Sequence, residues 1–169
     1  MSNNQGTVAV MVGKKVEDSI ENLILSKLGY EAEYFSRTKK RTNILLKNVP
    51  YKSIYEGSRC RSEFMLNHQG RNIRIECKSQ TSPGSVDEKL PYLFLNFSSR
   101  KNDGEETIII IEGNGFKKGA TEWLKKSCER TSIQVFTITQ FKEYLSLGLP
   151  KKNRSRVVSM FNKLMGIIS

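Results

Sequence analysis

Apolar residues recur along the chain with two different periods, and the changes from one to the other mark out the elements. Over residues 14–28 (KKVEDSIENLILSKL), Val16, Ile20, Leu23, Ile24 and Leu28 keep the three- and four-residue spacing of an amphipathic helix. Gly29 fits the C-terminal cap of that helix, and extended YEAEYF follows. Residues 61–66 (RSEFML) and 72–78 (NIRIECK) alternate with period two and read as strands of a hairpin joined by NHQG. Residues 43–59 fit neither period, 36–42 (SRTKKRT) read as an exposed basic loop, and 79–88 are rich in turn formers. A short helix or strand follows around Lys89–Asn96. The β-branched run 107–111 (TIIII) suits a strand buried on both faces. Residues 119–128 read as a helix with Ala120, Trp123 and Leu124 inward, 133–138 as a buried strand and 140–147 as a helix. After the basic stretch 150–156, an amphipathic helix is predicted over 157–168. The order α, β-hairpin, β, α, β, α predicts an α/β fold with a mixed central sheet flanked by helices. One domain over 1–148 is expected, with 149–169 a basic linker and a helix that packs on it or extends it.

Composition changes the picture mainly through charge. The chain has 169 residues, with 28 Lys and Arg against 17 Asp and Glu, a formal net charge of +11. So large an excess favours a polyanionic partner such as nucleic acid. No apolar run approaches the ~20 residues of a membrane span, and MSNNQGTVAVMVGKK lacks the charged start and apolar run of a secretory signal. Cys60, Cys77 and Cys128 are odd in number and far apart, so no disulfide framework is expected and an intracellular setting is. The single histidine, His68, excludes zinc sites built on paired Cys/His spacings. It lies in a polar turn with no nucleophile motif nearby and is expected to be exposed. No phosphate-binding GxxxxGK[ST] loop is present. Chemistry, if any, falls to carboxylates, lysines and a hard metal ion.

The hairpin gathers those groups. In 73–78, Ile73, Ile75 and Cys77 point to one face, and Arg74, Glu76 and Lys78 to the other, with Gln80 next if the strand continues. The apolar face is expected on the core and the charged face away from it. A two-residue turn at Gln69-Gly70 sets His68 opposite Arg71, Phe64 opposite Ile75 and Glu63 opposite Glu76. A four-residue turn shifts the register by two and still leaves both glutamates on one face. Directly opposed Cβ atoms stand ~5 Å apart, and like charges so placed destabilise a sheet unless a cation sits between them. Mg²⁺ takes oxygen ligands, typically one or two carboxylates with waters and substrate phosphate. The backbone carbonyl of Cys77 offers a further oxygen. Lys78 can reach a metal-bound water or a phosphate oxygen.

Glu63, followed thirteen residues later by Glu76-Cys77-Lys78 and preceded by a helical glutamate, resembles the PD-(D/E)XK nuclease superfamily. The resemblance covers roughly residues 13–138 and implies a restriction-endonuclease-like αβββαβ core. It places Glu63 at the first-motif acid, Glu76 and Lys78 at the second motif, and Gln80 at a glutamine that some branches carry. Glu17 resembles the upstream acid that completes the metal site in many members. Glu21, one helical turn on, competes for that place, and Glu17 is preferred as nearer the helix start. Glu stands at 63 where the motif has Asp, and Ser62 replaces its proline. The stretch 84–92 (GSVDEKLPY) is similar to a segment in phage-type members that turns a lysine and a tyrosine toward DNA.

The implied activity is Mg²⁺-dependent endonucleolytic cleavage of DNA, with Mn²⁺ able to substitute. Lys14, Lys15, Lys39, Lys40, Arg41, Arg61, Lys89, Tyr92, Lys117 and Lys118 are the candidate DNA contacts. The alternatives are a Holliday junction resolvase, a sequence-specific homing or restriction enzyme, and a catalytically silent DNA-binding module. Sequence reading by so short a chain favours a homodimer. A membrane-surface role is disfavoured because the charge is spread along the chain.

Overall fold

The computed structural model describes residues 4–37, 41–99 and 104–150, with side chains from residue 11 onward. Ten elements follow in order: α1 (Asn4–Leu28), β1 (Glu31–Tyr34), β2 (Ile44–Lys52), β3 (Arg59–His68), β4 (Arg71–Ser79), α2 (Val86–Ser98), β5 (Glu106–Glu112), α3 (Lys118–Cys128), β6 (Ile133–Phe136) and α4 (Ile138–Ser146). The six strands form one sheet in sequence order. β2–β3 and β3–β4 are antiparallel, and the other three pairings are parallel. This is the mixed sheet flanked by helices that the periodicity predicts. The basic stretch and final helix expected over 149–169 fall outside the described residues from 151 on. Among the described residues, no helix is long and apolar enough to cross a membrane.

The hairpin turns on two residues. Gln69 and Gly70 have φ of 49° and 77°, the left-handed pair that a tight antiparallel turn requires. His68↔Arg71 and Phe64↔Ile75 are partners, as the two-residue turn predicts. The sheet is covered on both faces. Val16, Ile20 and Ile24 of α1, with Phe141 and Tyr144 of α4, pack on Leu45, Leu66, Ile73, Ile75 and Ile110. On the other side, Leu90, Leu93 and Phe97 of α2 and Leu124 and Cys128 of α3 pack on Ile109, Ile111 and Ile133. The parallel crossovers β4–α2–β5 and β5–α3–β6 require that second layer.

This layer corrects the expectation that Arg74, Glu76 and Lys78 line a solvent face. Arg74 is 2 % exposed and Glu76 4 %. Arg74 is accommodated by Glu105 at 3.0 Å, Ser62 Oγ at 2.7 Å and the Tyr51 ring, whose centroid is 5.4 Å away. His68 is also buried rather than exposed, because its Nδ1 meets the Tyr30 hydroxyl at 2.8 Å. Trp123 reverses the other way. It is an exposed ring whose packing is edge-on against Phe94.

The loop after β4 is clamped to the turn after β5. Gln80 N donates to Glu112 O, and Gly115 N donates to Gln80 O at 2.7 Å. Gly113 has φ of 106°, and a Cβ there would stand 2.4 Å from Gln80 O. Gly113→Ala combines backbone strain with a collision against main chain and is expected to destabilise the protein by about 3 kcal/mol. Urea unfolding checks this, and a change under 1 kcal/mol would contradict so tight a clamp.

Candidate active site

The site forms where the hairpin comes apart. The β3–β4 ladder ends at Phe64↔Ile75. Beyond that pair β3 stays with β2 as far as Arg59, while β4 stays with β5 as far as Ser79. Glu63 and Glu76 are therefore not a ladder pair; they face each other across a split. The Cys77 N–H, left without a strand partner on that side, donates to Glu63 Oε2 at 3.0 Å.

An irregular step in β2 and β3 produces the split. Lys47↔Phe64 and Val49↔Ser62 are partners, and Asn48, between them and opposite Glu63, has φ of 58°. Asn is among the residues that tolerate that conformation. The step changes faces. Lys47 reaches Glu21 on α1, whereas Val49 joins Ile44, Leu46 and Met65 on the opposite side. Likewise Phe64 packs in the α1-side core and Ser62 turns to Arg74. Glu63, at the step, lines a hollow between α1 and the β2–β3 ribbon, together with Glu17.

Lys78 draws the acids together. Its Nζ lies 2.6 Å from Glu76 Oε1, 3.0 Å from the Cys77 carbonyl oxygen and 3.6 Å from Glu63 Oε1. Burial, then the Glu63 charge, pushes the Glu76 carboxyl well above the usual range, against the pull of Lys78. Burial works against the Lys78 ammonium, but Glu76 and Glu63 outweigh it and hold its proton above the ordinary lysine value. Glu17 is raised by burial and then by Glu63, which sets it within electrostatic reach of the pair. Glu21 is instead committed to Lys47 at 2.6 Å. Of the two helical acids, Glu17 is the one that meets the charge of the pair, although both line the hollow.

Among the described residues, no group of three or more Asp, Glu, His or Cys side chains stands gathered as a metal cage. The donors for a hard cation are nonetheless present. Glu76 Oε2 is buried without a hydrogen-bond partner, and Glu63 and the Cys77 carbonyl meet the same ammonium. Buried carboxylate oxygens are rarely left unmatched, and Mg²⁺ often needs only one or two carboxylates from the protein. The residues present fit such an ion. The Cys77 thiol is pushed far up by burial and then by Glu63, so it is inert.

The remaining sequence candidates divide. Gln80 is buried, and its side chain spans Gly115 O and Val86 N at 2.8 and 2.9 Å, which makes it a brace for the loop after Lys78. Lys14 and Arg61 line the hollow beside Glu63, and Lys15 is exposed on the same helix. Lys89, Lys117 and Lys118 are exposed, Lys118 near Glu122. Arg41 lies between Glu31 and Glu33, and Lys39 and Lys40 fall outside the described residues. Tyr92 is engaged internally: its hydroxyl meets Ser53 Oγ at 2.7 Å and its ring stacks on Tyr55. The sequence reading missed Asn48, whose φ shapes the split, and Ser62 and Arg74, which anchor β3 behind Glu63. An Asn two residues before Pro50, in a stretch with no clear period, is the one signal that pointed there.

A mixed sheet flanked by helices is the architecture the sequence resemblance implied, and the split beside the two acids is what the structure adds to it. A family model described as a PD-(D/E)XK nuclease superfamily domain matches residues 8–148. The chain belongs to that superfamily, and its domain is that of a nuclease. No curated protein matches it significantly.

Proposed function

We propose that the protein is a divalent-metal-dependent DNA endonuclease, with Mg²⁺ as the ion and Mn²⁺ able to replace it. The observation that carries this reading is the Lys78 ammonium held among Glu76, Glu63 and the Cys77 carbonyl, beside a buried Glu76 oxygen that has no partner. Glu63, Glu76 and the Cys77 carbonyl would hold the ion, with Glu17 completing its shell from α1. When bound, the ion supplies an acidified water and offsets charge on the phosphate. The chain's own part is to position and to neutralise. Glu63 and Glu76 are fixed on separate strands, so the floor of the site does not depend on one flexible loop. Lys78, with its proton held firmly, acts as a fixed positive charge toward a phosphate oxygen and not as a proton acceptor. The net charge of +11 supports a polyanionic substrate.

Incubation of supercoiled plasmid with the protein and Mg²⁺ or Mn²⁺ tests the reading. Nicking with either ion and none with chelator is the expected result. Strong preference for a four-way junction over linear duplex would assign a resolvase instead. Binding with a steep salt dependence and no nicking under any ion would assign a silent DNA-binding module.

A further inference from the structure

Beside Glu63 a hollow of about 640 Å³ opens between α1 and the β1–β2–β3 edge of the sheet, within the range of about 300–1,000 Å³ typical of small-ligand sites. Its lining sets Glu17, Asp18, Glu21 and Glu63 against Lys14, Lys47 and Arg61, with Tyr34 and Phe64 as aromatic walls. Tyr34, at the end of β1, is 70 % exposed and lines this hollow. The Lys47 ammonium lies 5.4 Å from its ring centroid, and the Lys47–Glu21 pair fixes that ammonium in turn. A large exposed ring lining a hollow that also holds the Glu63 carboxylate is a surface for a flat partner. A second hollow of about 260 Å³ adjoins the first through Arg61, which lines both. Arg37 and Arg59 line it as well, with Phe35 and Pro50. Arg61 is aimed by its hydrogen bond to Asn48 O at 2.8 Å. The two hollows therefore offer the Glu63 acid, an aromatic face and three guanidinium groups, two on β3 and one on the loop after β1.

We propose that the strand to be cut enters as single-stranded nucleic acid. One unstacked base lies against Tyr34, its neighbouring phosphate comes beside Glu63, where the ion of the reading above would stand between the two anions, and the backbone leaves over Arg61 toward Arg37 and Arg59. The proposal rests on the nuclease reading above. A base stacked within a duplex has no free face to give Tyr34, whereas an unpaired base in a strand, flap or frayed end does. Arginines gathered about one hollow from β3 and the loop after β1 can follow one backbone, and each phosphate neutralised adds to the salt dependence of binding.

A labelled 20-mer single strand and the blunt duplex of the same sequence, each with Mn²⁺, give the test. Wild type is expected to favour the single strand by about tenfold or more in kcat/KM. Loss of a stacked base is expected to raise KM about tenfold in Tyr34→Ala, with kcat little changed, and Tyr34→Phe restores the wild-type KM because the ring face is kept. In a Glu76→Gln background, 2-aminopurine in the single strand is quenched on binding, and adding Tyr34→Ala removes the quench. Arg37→Glu with Arg59→Glu is expected to lower the salt slope of single-strand binding by about 1.4, whereas Lys125→Glu with Lys126→Glu on α3, an equal loss of charge, leaves it unchanged. Equal or better cleavage of duplex, an unmoved KM in Tyr34→Ala, or an equal loss in the α3 control would overturn the proposal while Glu76-dependent cleavage still supports the nuclease. Absence of Glu76-dependent cleavage from every substrate would overturn the nuclease reading, and this proposal with it.

Discussion

Glu76→Gln is expected to lower the cleavage rate at saturating DNA and Mg²⁺ on the order of 10³-fold, and Lys78→Ala by a similar factor, the range seen when one preorganised charge is removed from a reacting centre. Glutamine keeps the shape of Glu76 and its contact with Lys78, but it removes the charge that would hold the ion. Alanine at 78 leaves both acids in place and removes the cation 2.6 Å from one and 3.6 Å from the other. Glu17→Gln is expected to lose only about tenfold, since its acid stands a step outside the pair. Single-turnover cleavage of labelled DNA, with circular dichroism to confirm folding, gives the measurement. Wild-type rates in Glu76→Gln would remove these two strands from the chemistry. The pH dependence has a fixed sign. The raised Glu76 carboxyl keeps its proton at higher pH than an ordinary glutamate, so ion binding must expel that proton. Apparent metal affinity is therefore expected to increase from pH 6 to pH 8. A flat profile would contradict this.

Arg74→Ala is expected to destabilise the protein by about 3–5 kcal/mol, the usual result of removing one side of a buried ion pair. The guanidinium meets Glu105 through two nitrogens at 3.0 and 3.2 Å and donates to Ser62 Oγ and Val49 O. All of these lose the guanidinium together. Arg74→Met with Glu105→Gln removes both charges and is expected to destabilise less than Arg74→Ala alone. Urea unfolding of the three proteins decides, and a loss under 1 kcal/mol in Arg74→Ala would show that β3 does not depend on this anchor. Because Ser62 precedes Glu63, Arg74→Ala is also expected to slow cleavage without touching substrate.

The hairpin was legible because its turn and alternation agree. Gln69-Gly70 fits a left-handed turn, and Ile73, Ile75 and Cys77 mark one face. The same alternation misled about the other face. A strand buried on both sides usually reads as continuous apolar residues, and here Arg74, paired with Glu105, and Glu76, held through Oε1 by Lys78, interrupt that pattern. α1 begins ten residues before the predicted start, where Gly6, Gly13 and several valines weaken helix propensity. β2 was unreadable because Asn48 and Pro50 break its period, and that break is what opens the site. Glu63, Glu76 and Lys78 were legible as neighbours through alternation and the turn, and Glu17 only through the resemblance. The split that lets the acids converge depends on Asn48 and Ser62, which carry no charge signal.

An ammonium tethered two residues from one acid on the same strand is a built-in competitor for any arriving cation. Its local concentration near the carboxylates far exceeds that of free salt, as for any tethered partner. Sodium or potassium, with one charge and no tether, gains nothing by displacing it. A doubly charged ion would, and the lysine so freed would be available to a phosphate oxygen. Discrimination against monovalent salt and the arming of the amine would then be one exchange.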